Sequence, residues 1–162
     1  MKAKSLKSGR YEVVLDPSLA SCIIHEAVGH MSEGDEILSN VDYKARMVLN
    51  RKVGIEQLNI VDDGTICNHI SSCKYDNEGV PTTKTYLIRN GHISSHLHSR
   101  ETAGEFGAKL TGNARALDYN FPPLVRMWTT YLEPGDWTFE EMIGSIKPGS
   151  ICENKERRNA EF

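Results

Sequence analysis

Three residues of this chain are of the types that metal-assisted hydrolysis uses. They are His25, Glu26 and His30, inside residues 16–35, DPSLASCIIHEAVGHMSEGD. A His-Glu pair opens the zinc-peptidase helix, in which two histidines four residues apart share a face and the glutamate activates the attacking water. Here the second histidine comes one residue later. At roughly 100° per residue, five steps leave the two rings about 140° apart on a regular helix, so they cannot reach one ion across an undistorted turn. The constellation therefore requires a wide turn or a break near Gly29, and π-bulges supply such geometry at functional sites. On spacing alone a second reading stands beside it: His25 as a hydrogen-bonded core histidine, and His30 as a helix cap favoured by the dipole.

The elements that must position these residues can be read around them. Asp16 suits the cap of the motif helix and Pro17 its first position, where a missing N–H is no loss. Leu19, Ile23 and Ala27, with Ala20, Ile24 and Val28 beside them, predict a helix that buries one broad face. Residues 11–15, YEVVL, read as a strand feeding it. Residues 36–50 have apolar positions at mixed helical spacing, with Lys44 and Arg46 interspersed, and point to no single element. Residues 55–61 form an expected strand closed by a turn at Asp62-Asp63-Gly64, with a second arm over residues 66–75. Residues 82–89 alternate as a strand, Asn90-Gly91 signals a tight hairpin, and residues 93–98 return. Ser99 can cap a helix from Arg100 that Gly104 and Gly107 limit. Residues 124–132 read as one strand, and residues 137–146 as a short helix ended by Pro148-Gly149. The fold class that follows is α+β: a mostly antiparallel sheet with hairpins, one buried motif helix and shorter packed helices.

Other groups compete for chemistry. Asp62 and Asp63 could be an acid–base pair, yet Asp-Gly after an apolar run is ordinarily turn chemistry, which is the expectation here. His96 and His98 share one face of the returning strand and are the internal rivals for a further metal ligand, against a plain polar face flanked by serines. Arg115, in the loop Thr111-Gly112-Asn113-Ala114-Arg115, could hold a carboxylate or a substrate carbonyl, or be a surface arginine on a turn. Cys22, Cys67, Cys73 and Cys152 lack CxxC spacing and are expected to be thiols, with Cys67 and Cys73 able to face each other across a hairpin.

Several blocks taken together carry a more specific signal. HEAVGHMSEGD, IVDDGT (60–65), DNEGVPT (76–82), LIRNGHI (87–93), TGNARA (111–116) and RMWTTYLEPGD (126–136), in that order, resemble the TldD/PmbA family of modulator-of-gyrase metallopeptidases, over residues 11–149. The two histidines place the resemblance with the TldD branch. It implies that His25 and His30 are metal ligands for Zn2+ and Glu26 the catalytic glutamate. It implies hydrolysis of unfolded or modified peptides, and a PmbA (TldE)-like partner subunit or a homo-oligomer. The family's third protein ligand is a cysteine beyond the matched region, and none of the four cysteines here is assigned that role. The chain is thus expected to be a partial TldD-like domain. Two rival expectations are a catalytically incompetent fragment acting as a metal-binding or assembly module, and an acidic interaction domain whose histidines are structural.

Composition bounds the rest. At 162 residues, 39% of them hydrophobic and 25% charged, the chain can bury a core. A net charge of −3 argues against a general nucleic-acid binder. No apolar run is long enough for a membrane span or a secretory leader, so a cytoplasmic location is the default expectation. Residues 1–10 are expected to be a basic arm, 11–149 the domain, and 150–162 a polar, disordered tail without strand pattern.

Overall fold

The computed structural model describes residues 8–145 and the backbone of residues 150–152. The basic arm up to residue 7, the expected helix stop at Pro148-Gly149 and most of the expected tail lie outside the described residues. In chain order the elements are β1 (Val13–Leu15), α1 (Pro17–Ile24), a π-turn (His25–Gly29), a 3-10 turn (His30–Ser32), α2 (Gly34–Ser39), α3 (Val41–Arg46), β2 (Ile60–Asp63), β3 (Lys84–Arg89), β4 (His92–Ile93), α4 (Arg100–Phe106), β5 (Ala114–Arg115), β6 (Leu124–Val125), β7 (Thr130–Leu132), α5 (Phe139–Ser145) and β8 (Ser150–Cys152). The chain divides into two compact units, residues 1–20 with 136–162, and residues 21–135.

The larger unit is built on a four-stranded antiparallel sheet in the order β4-β3-β2-β7. Asn90 and Gly91 close the β3–β4 hairpin with φ of 49° and 73°, the left-handed backbone that this dipeptide tolerates. The core under the sheet joins Ile60, Leu87, Ile88, Leu97, Val125 and Met127, with Ile24, Val28 and Leu58 packed on it. Leu87 and Leu97 are fully buried, each contributing roughly 1.5–3 kcal/mol. A second cluster, Ile37, Met47 and Ile93, takes Met31, Tyr43 and Phe106 against it. Helix α4 starts as expected. Ser99 and Thr102 form a reciprocal capping box, and Gly107 ends the helix in left-handed conformation.

The smaller unit pairs β1 with β8 in parallel, Val13 opposite Ser150 through Leu15 opposite Cys152. Ser150–Cys152 is therefore a strand where no strand pattern was expected. Three residues are too few to show a period, and their partner lies far back in the chain. Asp16 accepts the Leu19 N–H through Oδ1 at 2.9 Å at the start of α1, as a cap should. In α5 the Thr138 and Glu141 side chains exchange hydrogen bonds with each other's backbone N–H.

The α+β class with antiparallel hairpins holds, but particular expectations change. The motif helix is not buried. No residue of α1 is fully covered and Ile23 is 44% exposed. Apolar periodicity records which face avoids water, not what covers it, and only Ile24 and Val28 of that stretch reach the core. Residues 66–75 form turns rather than a second arm. The strand expected over residues 124–132 is two short strands. Between them the Trp128 N–H leaves the ladder to donate to Asp62 Oδ1 at 2.9 Å.

Asp62 itself is not a turn residue. It lies in β2, fully buried, and also accepts from Thr130 Oγ1 at 2.9 Å and Asn113 Nδ2 at 2.8 Å. Burial pushes its pKa up against these donors. Asp63 does the turn chemistry, accepting the Thr65 N–H at 2.8 Å.

Candidate metal centre

His25, Glu26 and His30 converge through an unusual piece of backbone. Over residues 25–29 the helix widens to a π-turn, and the His30 N–H donates to the His25 carbonyl, five residues back instead of four. One turn now spans the five-residue spacing, so the two rings come to the same side. Their centroids are 4.7 Å apart with the planes at 83°. The distortion that the spacing required is thus present.

Three features hold this turn in place. Ile24 and Val28 pack on the main core and Met31 on the second cluster, anchoring it before, within and after the distortion. Gly29 lies so close to the core that a Cβ there would sit 2.0 Å from Met127 Sδ. Buried Ser32 donates its hydroxyl to the Val28 carbonyl at 2.7 Å, tying the end of the turn to the residue that follows it by four.

One ligating atom from each of His25, Glu26 and His30 lies within 4.8 Å of the others. His25 and Glu26 are exposed and His30 is half-buried. Two imidazoles and a carboxylate are donors of the kind a zinc-like cation takes, and an exposed side leaves room for a further ligand or substrate, so the donor set fits such an ion. Among the described residues no other set of three His, Cys, Asp or Glu side chains gathers this closely.

The rival groups are used otherwise. His96 and His98 are both buried. His96 Nε2 is 2.7 Å from the Met47 carbonyl, and His98 Nδ1 is 3.2 Å from Thr102 Oγ1. Burial lowers the pKa of both, with His98 pushed down to about 4 by burial and by its neighbour His96. Arg115 donates to the Met127 carbonyl at 2.6 Å and stacks on Trp128, 4.7 Å from the ring, so it braces the loop. Cys22, Cys67 and Cys73 are free and exposed.

Sequence reasoning passed over Glu33. Its carboxyl is 1% exposed, with Oε1 3.2 Å from His30 Nδ1 and Oε2 accepting from Arg126 Nη1 at 3.0 Å. Burial raises its pKa, while Arg126 and His30 pull the other way. The nearby signal was an acid three residues past a histidine, but its second partner is far along the chain.

Two histidines and a glutamate gathered by a π-turn on an α+β fold make this a candidate metal centre. Residues 8–157 match the family model described as the PmbA/TldA metallopeptidase C-terminal domain, and the chain belongs to that PmbA/TldD family. A metalloprotease of Methanocaldococcus jannaschii is 49% identical over 92% of this chain and 33% of its own length. A zinc metalloprotease TldD homolog of Saccharolobus solfataricus is 38% identical over 92% of the chain and 33% of its own length. Among solved structures, a candidate DNA gyrase modulator of Thermotoga maritima superposes with a TM-score of 0.78 at 27% identity, over 92% of this chain and 33% of that one. TldE of Thermococcus kodakarensis shares the fold, with a TM-score of 0.72 at 20% identity over 87% of this chain and 32% of its own. The chain spans about one third of the length of these relatives. Among the described residues no helix is long and apolar enough to cross a membrane.

Proposed function

We propose that this chain carries the catalytic motif of a zinc-dependent peptidase acting on unfolded or modified peptides, with a TldE-like partner subunit or a second copy of itself completing the assembly. The supporting observation is the π-turn, which brings His25, Glu26 and His30 within 4.8 Å despite a spacing that an ordinary helix would split. A five-residue turn is costly to keep unless its geometry is used, and such turns concentrate at functional sites. The sequence kinship to metalloproteases, one of them described as a zinc enzyme, supports the same reading.

In this reading His25 and His30 hold the ion and Glu26 is the base. When bound, zinc polarises a carbonyl and makes water acidic enough to attack near neutral pH. Glu26 is exposed beside the two rings, where it can take a proton from the attacking water and return it to the leaving amine nitrogen. The exposed rims of His25 and Glu26 leave an extended peptide room to approach.

A Glu26→Gln variant of the full-length protein tests the assignment. It should keep its zinc and lose peptide hydrolysis by about 100- to 10,000-fold, the usual contribution of a positioned base. Full activity in a zinc-loaded Glu26→Gln protein would refute the role of Glu26.

A further inference from the structure

Behind His30 stands a relay that the motif does not announce. Glu33 is 1% exposed, and a buried carboxylate is tolerated only when its oxygens are paired. Here the two oxygens are divided, Oε1 to His30 Nδ1 at 3.2 Å and Oε2 to Arg126 Nη1 at 3.0 Å. Backbone pairing holds Glu33, and further hydrogen bonds hold Arg126. Glu33 bridges Leu97 in parallel fashion, the Gly34 N–H donating to the Leu97 carbonyl at 2.9 Å and the Leu97 N–H to the Ser32 carbonyl at 2.8 Å. Arg126 also donates to the Val125 carbonyl at 2.6 Å, and the Val125 N–H donates to Asp35 Oδ2 at 2.9 Å.

A neutral imidazole carries its hydrogen on one nitrogen and offers a lone pair at the other. A carboxylate oxygen facing Nδ1 accepts a hydrogen there, which leaves the lone pair on Nε2. We propose that Glu33 is a positioning residue. It holds His30 in the Nδ1–H form and aims Nε2 at a divalent cation shared with His25, while Arg126 keeps Glu33 in place. This rests on the reading of His25 and His30 as metal ligands. The rival account is that Glu33 only neutralises Arg126 and leaves the imidazole indifferent. Against that account, the carboxylate shows one oxygen to each partner instead of both to the guanidinium. A carboxylate behind a ligating histidine fixes its tautomer and raises its basicity, and losing it typically weakens metal binding by about 10- to 100-fold.

Two readouts in the full-length protein test the relay. The first is 15N NMR of the His30 ring in histidine-labelled, metal-free protein at mildly alkaline pH, assigned with a His30→Gln variant. The second is zinc affinity by chelator competition. Wild type should show Nδ1–H. The double variant Glu33→Leu with Arg126→Met removes the buried carboxylate together with its half-exposed guanidinium partner, so neither charge is left unpaired. It should move the hydrogen towards Nε2 and bind zinc about 10- to 100-fold more weakly, whereas Glu33→Gln, which keeps an acceptor, should stay near wild type. Nε2–H in wild type would overturn the proposal. So would unchanged zinc affinity in the folded double variant when His30→Ala loses its zinc. Unchanged affinity in His30→Ala would overturn both this proposal and the metal reading beneath it.

Discussion

Acidification from pH 7 to pH 5 should destabilise the folded chain through His98. That side chain is 2% exposed, with Nδ1 3.2 Å from Thr102 Oγ1. Its ring lies 6.0 Å from that of His96 and 5.4 Å from that of Phe106. Burial, and then the neighbouring His96, hold its pKa at about 4 instead of 6.5. A base with a depressed folded pKa stays neutral in the native state while the unfolded chain takes up the proton. The stability is therefore fully present above about pH 6.5 and is lost as the pH falls towards 4. Linkage with these two values gives a loss of about 2 kcal/mol at pH 5 and almost none at pH 7. Against a typical domain stability of about 5–15 kcal/mol that is a large share. It falls on the segment that clamps the motif loop, since Leu97, next to His98, bridges Glu33. Urea unfolding followed by tryptophan fluorescence at each pH, in wild type and in His98→Gln, isolates the effect. The variant starts less stable, but its decline from pH 7 to 5 should be shallower by about 2 kcal/mol. His96, whose pKa burial also lowers, keeps an acid sensitivity of its own in the variant. Parallel declines would refute the assignment of the acid sensitivity to His98.

Two further outcomes follow from the packing. Asp62→Ala strands the Trp128 N–H and the Thr130 hydroxyl and removes one of the two acceptors of the Asn113 amide, and should cost roughly 2–4 kcal/mol in urea unfolding even after the buried charge is relieved. Gly91→Ala meets both a φ of 73° and a carbonyl, that of Ile55, 2.4 Å from the new Cβ; it should lower stability by at least ~2 kcal/mol, read as a drop in thermal midpoint.

What could be read from the chain depended on how local the cause was. The five-residue gap between His25 and His30 demanded a widened turn by helix geometry alone, and the π-turn over His25–Gly29 meets that demand. Asn90-Gly91 and the Ser99 cap were legible because each acts within four residues. Asp62 was misread because its donors lie on residues 113, 128 and 130, which no local pattern connects to β2. The same distance hid Glu33, whose identity makes sense only beside Arg126. The stripe along the motif helix was correctly apolar, yet Ile23 and Ala27 face outward, since periodicity does not say what an apolar face packs against. The period of His96 and His98 left open either ligation or a plain polar face; both are in fact buried, one hydrogen-bonded to the Met47 carbonyl and the other beside Thr102 Oγ1.

X-ray absorption at the zinc edge of the full-length protein tests the central claim most directly. The predicted result is a zinc shell containing two imidazole nitrogens, with one or both missing, or the metal lost, in His25→Ala and in His30→Ala. A shell that is the same in wild type and both variants would contradict the account, because the ion would then sit somewhere other than on the π-turn.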